Sequence, residues 1–257
     1  MPDLEKALRE RRDAGGRAFI PYVTGGFPGV DPSLLRALQD AGADAVEVGI
    51  PFSDPVMDGG VIQEASRLAL EAGARPSQIL ETIAEARLQV PVAVMTYVNP
   101  IYRHGFEAFL VEAENAGVGG VIVPDLPVDE AGDWTIECAA HGVASVQLAA
   151  PGSAPDRLAW IAKVSSGFLY CVATYGVTGL RTELAGTARE LVERLRPLTD
   201  LPLVLGVGVG SPQQAAEVGT FADGAVVGTA LMARLLEGDR EGLLGLAADF
   251  RSALPVD

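Results

Sequence analysis

The chain has 257 residues, enough for one barrel or two small domains with a sizeable core. Its net charge of −15 argues against a nucleic-acid or anionic-membrane partner, and no apolar run reaches the length of a membrane span. The N-terminus has no signal-peptide pattern and the two cysteines have no metal or redox spacing, so we expect a cytoplasmic protein.

The first half of the chain alternates short apolar strands with helical patterns. A helix is predicted over residues 4–12, ahead of the first strand. Glycines and prolines after the strands and helices indicate where each element ends. The predicted strands are 18–24, 45–49, 92–97 and 120–125, and the predicted helices are about 32–41, 61–72, 77–88, 106–116 and 129–140.

The second half repeats the same alternation. Strands are predicted at 144–149, 167–173, 203–207 and 224–228, with helices at 155–164, 187–195 and 212–218 and a closing helical region from 229 to near 253. The eight units predict an α/β fold, a single (β/α)8 TIM barrel with an extra N-terminal helix, in which residues 1–257 form one catalytic domain. An open doubly wound sheet is the alternative, but eight units without a topological switch favour closure.

The segment from residue 46 to residue 63 carries two carboxylates. Strand alternation places Glu47 on the face opposite Val46 and Val48, where a carboxylate among apolar neighbours is costly unless it is used. Asp58 follows in a Pro/Gly-rich loop. One carboxylate on a stiff strand and one on a mobile loop fit an acid/base pair. The alternative is a strand-end glutamate paired with an arginine and an aspartate that serves only the turn.

Scarce residue types narrow the chemistry further. The only histidines are His104 and His141, too few for an ordinary catalytic zinc site. The only lysines, Lys6 and Lys163, fall in helical patterns, so a Schiff base has no obvious amine. We therefore predict no metal site, and chemistry that uses carboxylates, hydroxyls, tyrosines and backbone amides.

The loops that follow strands seven and eight are rich in glycine. Gly206 and Gly208 follow strand seven, and Gly228-Thr229 leads from strand eight into a helix, where amides and the helix dipole favour an anion. Barrels often bind phosphate in these two loops, although tight turns use glycine as well. The long loop 174–186 after strand six contains Val177-Thr178-Gly179, which could close over the anion as a lid.

Polar residues also gather at the predicted C-terminal ends of the strands, where barrel enzymes place their chemistry. For Tyr97, a packed ring with a satisfied hydroxyl is the simpler interpretation. The cluster consists of Tyr22, Glu47, Asp58, Tyr97, Asn99, Asp125 and Tyr170.

Five motifs, in this order, resemble those of the tryptophan synthase α chain family, and the resemblance covers essentially the whole chain. They are residues 47–59 (EVGIPFSDPVMDG), 95–100 (MTYVNP), 124–127 (PDLP), 176–179 (GVTG) and 206–208 (GVG). The resemblance implies reversible retro-aldol cleavage of indole-3-glycerol phosphate into indole and glyceraldehyde 3-phosphate, in tryptophan biosynthesis, without metal or Schiff base.

The resemblance also implies roles for individual residues. Glu47 matches the catalytic acid/base, Asp58 the carboxylate that holds the indole N–H, and Tyr170 an active-site tyrosine. Thr178 matches a lid threonine that contacts Asp58. The matching phosphate positions are Gly179, Gly208, Gly228 and Thr229, and the residues expected to line the indole pocket are Tyr22 and Tyr97.

A partner is implied as well: a PLP-dependent β chain in an α2β2 complex, docked on residues 53–55 and the 99–100 loop. No cofactor is expected in this chain itself. Gly60 departs from the proline usual in the family and should loosen the Asp58 loop, whereas Thr229 replaces the usual serine and keeps its hydroxyl. The alternatives are a stand-alone lyase that releases free indole, a non-catalytic barrel that activates a partner, and another phosphate-binding barrel such as an isomerase or epimerase.

Overall fold

The fold was analysed in a computed structural model, which describes residues 3–172, 181–206 and 208–255. The predicted residues Thr178 and Gly179 lie outside these ranges, and so does Val207. Within the described part of the chain, no helix is long and apolar enough to cross a membrane.

Eight parallel strands form a closed barrel in which each strand pairs with the next and β8 pairs with β1. This confirms the predicted TIM barrel and excludes the open sheet. All strands are short and almost wholly buried, because the barrel interior packs against one face and the helices against the other. They are β1 Ala18–Thr24, β2 Val46–Gly49, β3 Val92–Met95, β4 Val118–Ile122, β5 Ala144–Ala149, β6 Leu169–Val172, β7 Leu203–Gly206 and β8 Gly224–Val227.

Helices connect the strands and form the outer layer. A short 3-10 helix, Arg196–Leu198, follows the ninth α-helix. The α-helices are α1 Leu4–Asp13, α2 Pro32–Asp40, α3 Gly60–Glu71, α4 Pro76–Ala86, α5 Val98–His104, α6 Phe106–Ala116, α7 Gly132–Ala140, α8 Pro155–Val164, α9 Arg181–Leu195, α10 Pro212–Val218, α11 Thr229–Leu236 and α12 Arg240–Ala253.

Two helix predictions were wrong. Helix α5 was read as a loop, but Asp125 accepts a hydrogen bond from the Val98 amide at 2.9 Å and satisfies one free donor of its first turn. Helix α9 begins at Arg181 rather than at residue 187, so the predicted loop 174–186 is too long. Gly186 resembled a helix breaker, but a single glycine is tolerated inside a helix.

The predicted N-terminal helix is confirmed, and it lies against the N-terminal end of the barrel. Leu4 and Leu8 of α1 are buried. A Cβ atom built on Gly120 would lie 2.7 Å from Cδ2 of Leu4, and one on Gly167 would lie 3.2 Å from it. Gly120 was predicted to open its strand, but it lies inside β4, where its missing side chain leaves space for Leu4.

Two carboxylates at the same end of the barrel, one partly buried and one buried, are paired with arginines. Asp44, just before β2, contacts Nη1 of Arg251 at 2.7 Å and Nε of Arg11 at 3.4 Å. Asp223, just before β8, accepts from both terminal nitrogens of Arg196, at 2.7 and 3.1 Å. These ion pairs join helices to the N-terminal ends of the strands.

Candidate active site

Glu47 is the most deeply buried acidic side chain in the described part of the chain, with 1% of its surface exposed. It lies on β2 in register with Tyr22 on β1 and Ala93 on β3, so the three side chains point to the same face. Among the described residues, no cation pairs with it and Oε2 has no hydrogen-bond partner. The alternative of a glutamate paired with an arginine therefore finds no support in the described residues.

The buried position of Glu47 changes its acidity. Burial raises the pKa of Glu47 to about 8, and the negative charge of Asp58 adds to the rise. At neutral pH the protonated form of Glu47 is therefore favoured. A carboxylic acid that is neutral at pH 7 and free of protein partners can give its proton to a bound molecule.

Asp58 lies in the loop between β2 and α3, with its backbone amide bonded to the carbonyl of Pro55 at 3.0 Å. The side-chain amide of Gln63 donates to the Asp58 carbonyl at 2.8 Å. Burial raises the pKa of Asp58 to about 6, and the Tyr97 hydroxyl limits that rise. Asp58 is therefore mainly ionised at pH 7 while Glu47 is mainly neutral, as an acid/base pair requires.

Tyr97 connects the loop that carries Asp58 to the barrel. Its hydroxyl accepts a hydrogen bond from the Met57 amide at 3.1 Å, and its ring lies 5.3 Å from that of Phe52. Both contacts are to the loop after β2. The interpretation of Tyr97 as a packed ring with a satisfied hydroxyl is confirmed, and its packing positions the residue next to Asp58.

Tyr170 and Tyr22 occupy space that glycines leave open. A Cβ atom built on Gly206 would lie 2.0 Å from the Tyr170 hydroxyl, and one on Gly49 would lie 2.1 Å from that of Tyr22. Burial, and then the nearby charge of Glu47, raise the pKa of Tyr170 well above its usual value. Both tyrosines therefore keep their protons and can act only as hydrogen-bond partners.

The glycine-rich loops lie at the same end of the barrel. Gly208 has a positive φ of 99°, which favours glycine. Gly228 precedes α11, whose first residue is Thr229, and no side chain caps this helix. Its first amides thus have no intrahelical partner and can bind an anion. The sequence did not indicate that Gly206 also leaves room for Tyr170.

Two residues of the predicted polar cluster have another place or role. Asp125 is exposed and accepts the hydrogen bond that begins α5, and Asn99 is exposed on that same helix. Within the described residues, no group of three or more His, Cys, Asp or Glu side chains could hold a metal ion. The residues that the fold brings together are Tyr22, Glu47, Asp58, Tyr97 and Tyr170.

Comparison with known proteins agrees with this arrangement. The family model described as tryptophan synthase alpha chain matches residues 8–247. The chain belongs to the tryptophan synthase alpha chain family. The family predicted from the motifs is therefore confirmed.

Individual members of the tryptophan synthase alpha chain family are similar over nearly their full length. The tryptophan synthase alpha chain of Streptomyces coelicolor is 44% identical over 255 residues, covering 96% of this chain and 94% of that one. That of Carboxydothermus hydrogenoformans is 42% identical, with 90% and 88% covered. A solved structure of Mycobacterium tuberculosis tryptophan synthase superposes with a TM-score of 0.90 at 36% identity and covers both chains completely.

Proposed function

We propose that this chain is the tryptophan synthase alpha subunit and reversibly cleaves indole-3-glycerol phosphate into indole and glyceraldehyde 3-phosphate. All of residues 1–257 serve as one catalytic barrel domain. The observation that carries the proposal is the pair of carboxylates at the barrel mouth, a half-buried Asp58 and a buried Glu47 that has no protein partner among the described residues. The family membership supplies the reaction.

The reaction needs one proton given and one taken back. Protonated Glu47 donates its proton to carbon 3 of the indole ring, which gives a cationic ring. The Glu47 carboxylate then takes the proton of the neighbouring glycerol hydroxyl. The carbon–carbon bond breaks, its electron pair returns to the ring, and the hydroxyl carbon becomes the aldehyde of glyceraldehyde 3-phosphate. Glu47 ends protonated, ready for the next turnover.

Asp58 and the tyrosines support this step. Ionised Asp58 accepts a hydrogen bond from the indole N–H and stabilises the cationic ring. Tyr22 and Tyr97 line the indole pocket, and Tyr170 donates a hydrogen bond near Glu47. The raised pKa of Tyr170, caused by burial, supports its role as a donor that keeps its proton.

The phosphate of the substrate binds at the glycine-rich end. Gly206 and Gly208 after β7, and Gly228 and Thr229 at the start of α11, offer backbone amides and the positive end of a helix dipole. Thr178 and Gly179 complete the site as a lid over the same phosphate, as the family motif implies.

The chain works without a cofactor of its own, in the cytoplasm, and docks on a PLP-dependent β chain in an α2β2 complex. Residues 53–55 and 99–100 form the expected docking surface. Four large apolar side chains are exposed on the same two segments or just beyond them, which supports a protein partner at this place. They are Val56, Met57, Tyr102 and Phe106, with exposed fractions of 77, 48, 72 and 39%.

Indole release from indole-3-glycerol phosphate tests the proposal, measured with and without a cognate β chain. We expect slow release by the chain alone and strong stimulation by the β chain, because docking orders the loop that carries Asp58. Fast release without the β chain would instead establish a stand-alone lyase. No release in either condition would leave a non-catalytic barrel that activates its partner.

A further inference from the structure

A cleft of about 260 Å3 lies between the segment after β2, the connection from α3 to α4, and α5. Ile50, Pro51 and Pro100 contribute to its apolar surface. None of the carboxylates or tyrosines of the candidate active site lines it, so the cleft is distinct from that site, although it adjoins the expected docking surface, to which Pro100 also belongs.

Two arginines whose guanidinium groups have no partner among the described residues line this cleft. Arg75 precedes α4 and Arg103 lies on α5, and both are exposed. Among the arginines whose side chains the structure describes, only Arg75, Arg87 and Arg103 have a guanidinium group with neither a hydrogen bond nor an ion pair. The chain has 34 acidic residues, yet none of those described pairs with either arginine of the cleft.

Two acidic groups close to the residues that line the cleft are engaged elsewhere. His104, which also lines the cleft, has its Nε2 atom 3.1 Å from Glu112, although the angle between them is too poor for a hydrogen bond. Glu71, next to the lining residue Leu70, contacts Arg67 on the outside of α3. The guanidinium groups of Arg75 and Arg103 therefore remain available to an external anion.

We propose that this cleft binds a small organic acid, an aromatic carboxylate with one ring or two fused rings. The ring packs on the apolar surface of Ile50, Pro51 and Pro100, and the carboxylate is held by Arg75 and Arg103. Ligand sites commonly combine an apolar surface with a few charged groups in this way. The cleft is smaller than the roughly 300–1,000 Å3 of ordinary ligand pockets, which limits the ligand to a small one.

Calorimetric titration of the full chain with 1-naphthoate tests the proposal. We expect saturable binding to one site at low salt, with Arg75→Gln and Arg103→Gln each weakening it about tenfold, as for the loss of one charged hydrogen bond. Arg87→Gln is the matched control, because Arg87 is unpaired but does not line the cleft. It should leave the affinity unchanged.

Two further probes separate charge from shape. The neutral 1-naphthalenemethanol keeps the ring system without the carboxylate, and inorganic phosphate keeps a charge without the ring. Both should bind at least tenfold more weakly than 1-naphthoate. Each substituted arginine is exposed, so thermal unfolding of the variants should match that of the parent chain.

Either of two results would overturn the proposal. One is the absence of saturable 1-naphthoate binding at millimolar concentration. The other is binding that Arg75→Gln and Arg103→Gln leave unchanged, which would show that the probe occupies a different site, such as the barrel mouth.

Discussion

The carboxylates at the two ends of the barrel differ in whether the protein provides a charge partner. At the N-terminal end, Asp44 and Asp223 are each held by arginines at 2.7 Å and by a backbone amide at 2.8 Å. At the C-terminal end, Glu47 is buried at least as deeply and has no such partner among the described residues. A paired carboxylate joins elements of the fold, whereas an unpaired one stores a proton that chemistry can use.

Replacing Glu47 should produce the largest effect. Glu47→Gln keeps the shape of the side chain but removes the proton donor, so indole release should fall by about a thousandfold, within the usual range for acid/base catalysis. Steady-state assays with the β chain present measure this directly. Glu10→Gln, at an exposed position of α1, is the matched control and should keep full activity. Normal turnover by Glu47→Gln would show that another group moves the proton.

Breaking an ion pair at the opposite end should instead cost stability. Asp223→Asn leaves Arg196 without its charge partner and should lower the free energy of unfolding by about 2 kcal/mol, as for the loss of a charged hydrogen bond, because Arg196 stays in contact with water. Chemical denaturation measures the change. Asp200→Asn is the control, because Asp200 is 95% exposed and its contact with Arg9 is 3.9 Å long, so its loss should change little. If the two variants lost equal stability, the proposed difference between the Asp223–Arg196 pair and the Asp200–Arg9 pair would be contradicted.

Glu47 should also make the stability of the protein depend on pH. Its folded pKa of about 8 lies above the value of about 4.3 in the unfolded chain, so the folded state binds more protons between these values. The contribution of Glu47 to stability is therefore fully present below about pH 4.3 and is lost as pH rises through about 8. Because each unit of pKa difference corresponds to about 1.4 kcal/mol, Glu47→Gln should raise the free energy of unfolding by about 4 kcal/mol more at pH 9 than at pH 5. A constant difference at both pH values would contradict this explanation.

The smallest expected effect concerns the loop that carries Asp58. Gly60 is the first residue of α3, a position that favours proline, and Gly59 before it is already extended with φ −75° and ψ 162°. A Cβ on Gly60 would contact nothing within 4 Å. Gly60→Pro should add about 0.5–1 kcal/mol of stability and raise indole release without the β chain.

Gly60→Ala is the control for that substitution, because alanine restricts the chain less than proline. The expected order of partner-free activity is proline, then alanine, then glycine. Reduced activity of Gly60→Pro with unchanged stability would show that mobility of this loop helps catalysis.

Much of the fold could be predicted because local signals and packing agree. The bounds of β1, β5, α6, α8 and α10 were predicted to the residue, and α8 and α10 each begin with a proline that marks the first turn. Helix α5 could not be predicted in this way. The hydrogen bond at its start comes from Asp125, which is 27 residues away in sequence.

The residues of the candidate site could be predicted from the sequence, but their charge partners could not. Strand alternation indicated which face Glu47 occupies, but it carries no information about charge partners for Glu47 or for Asp44 three residues earlier. Only the packing of α1 and α12 brings Arg11 and Arg251 to Asp44 and leaves Glu47 without an arginine. The space that Gly206 leaves for Tyr170 is likewise a contact between neighbouring strands.

The most direct test is a carbon-13 NMR titration of the Glu47 side-chain carboxyl in the folded chain, assigned with Glu47→Gln. We predict an apparent pKa of about 8, because the group is buried without a cation and faces the charge of Asp58. In Asp58→Asn that value should fall, since the neighbouring negative charge is gone. A Glu47 pKa of about 4.3, ordinary for a solvated glutamate, would contradict the account of an unpaired, proton-storing carboxylate.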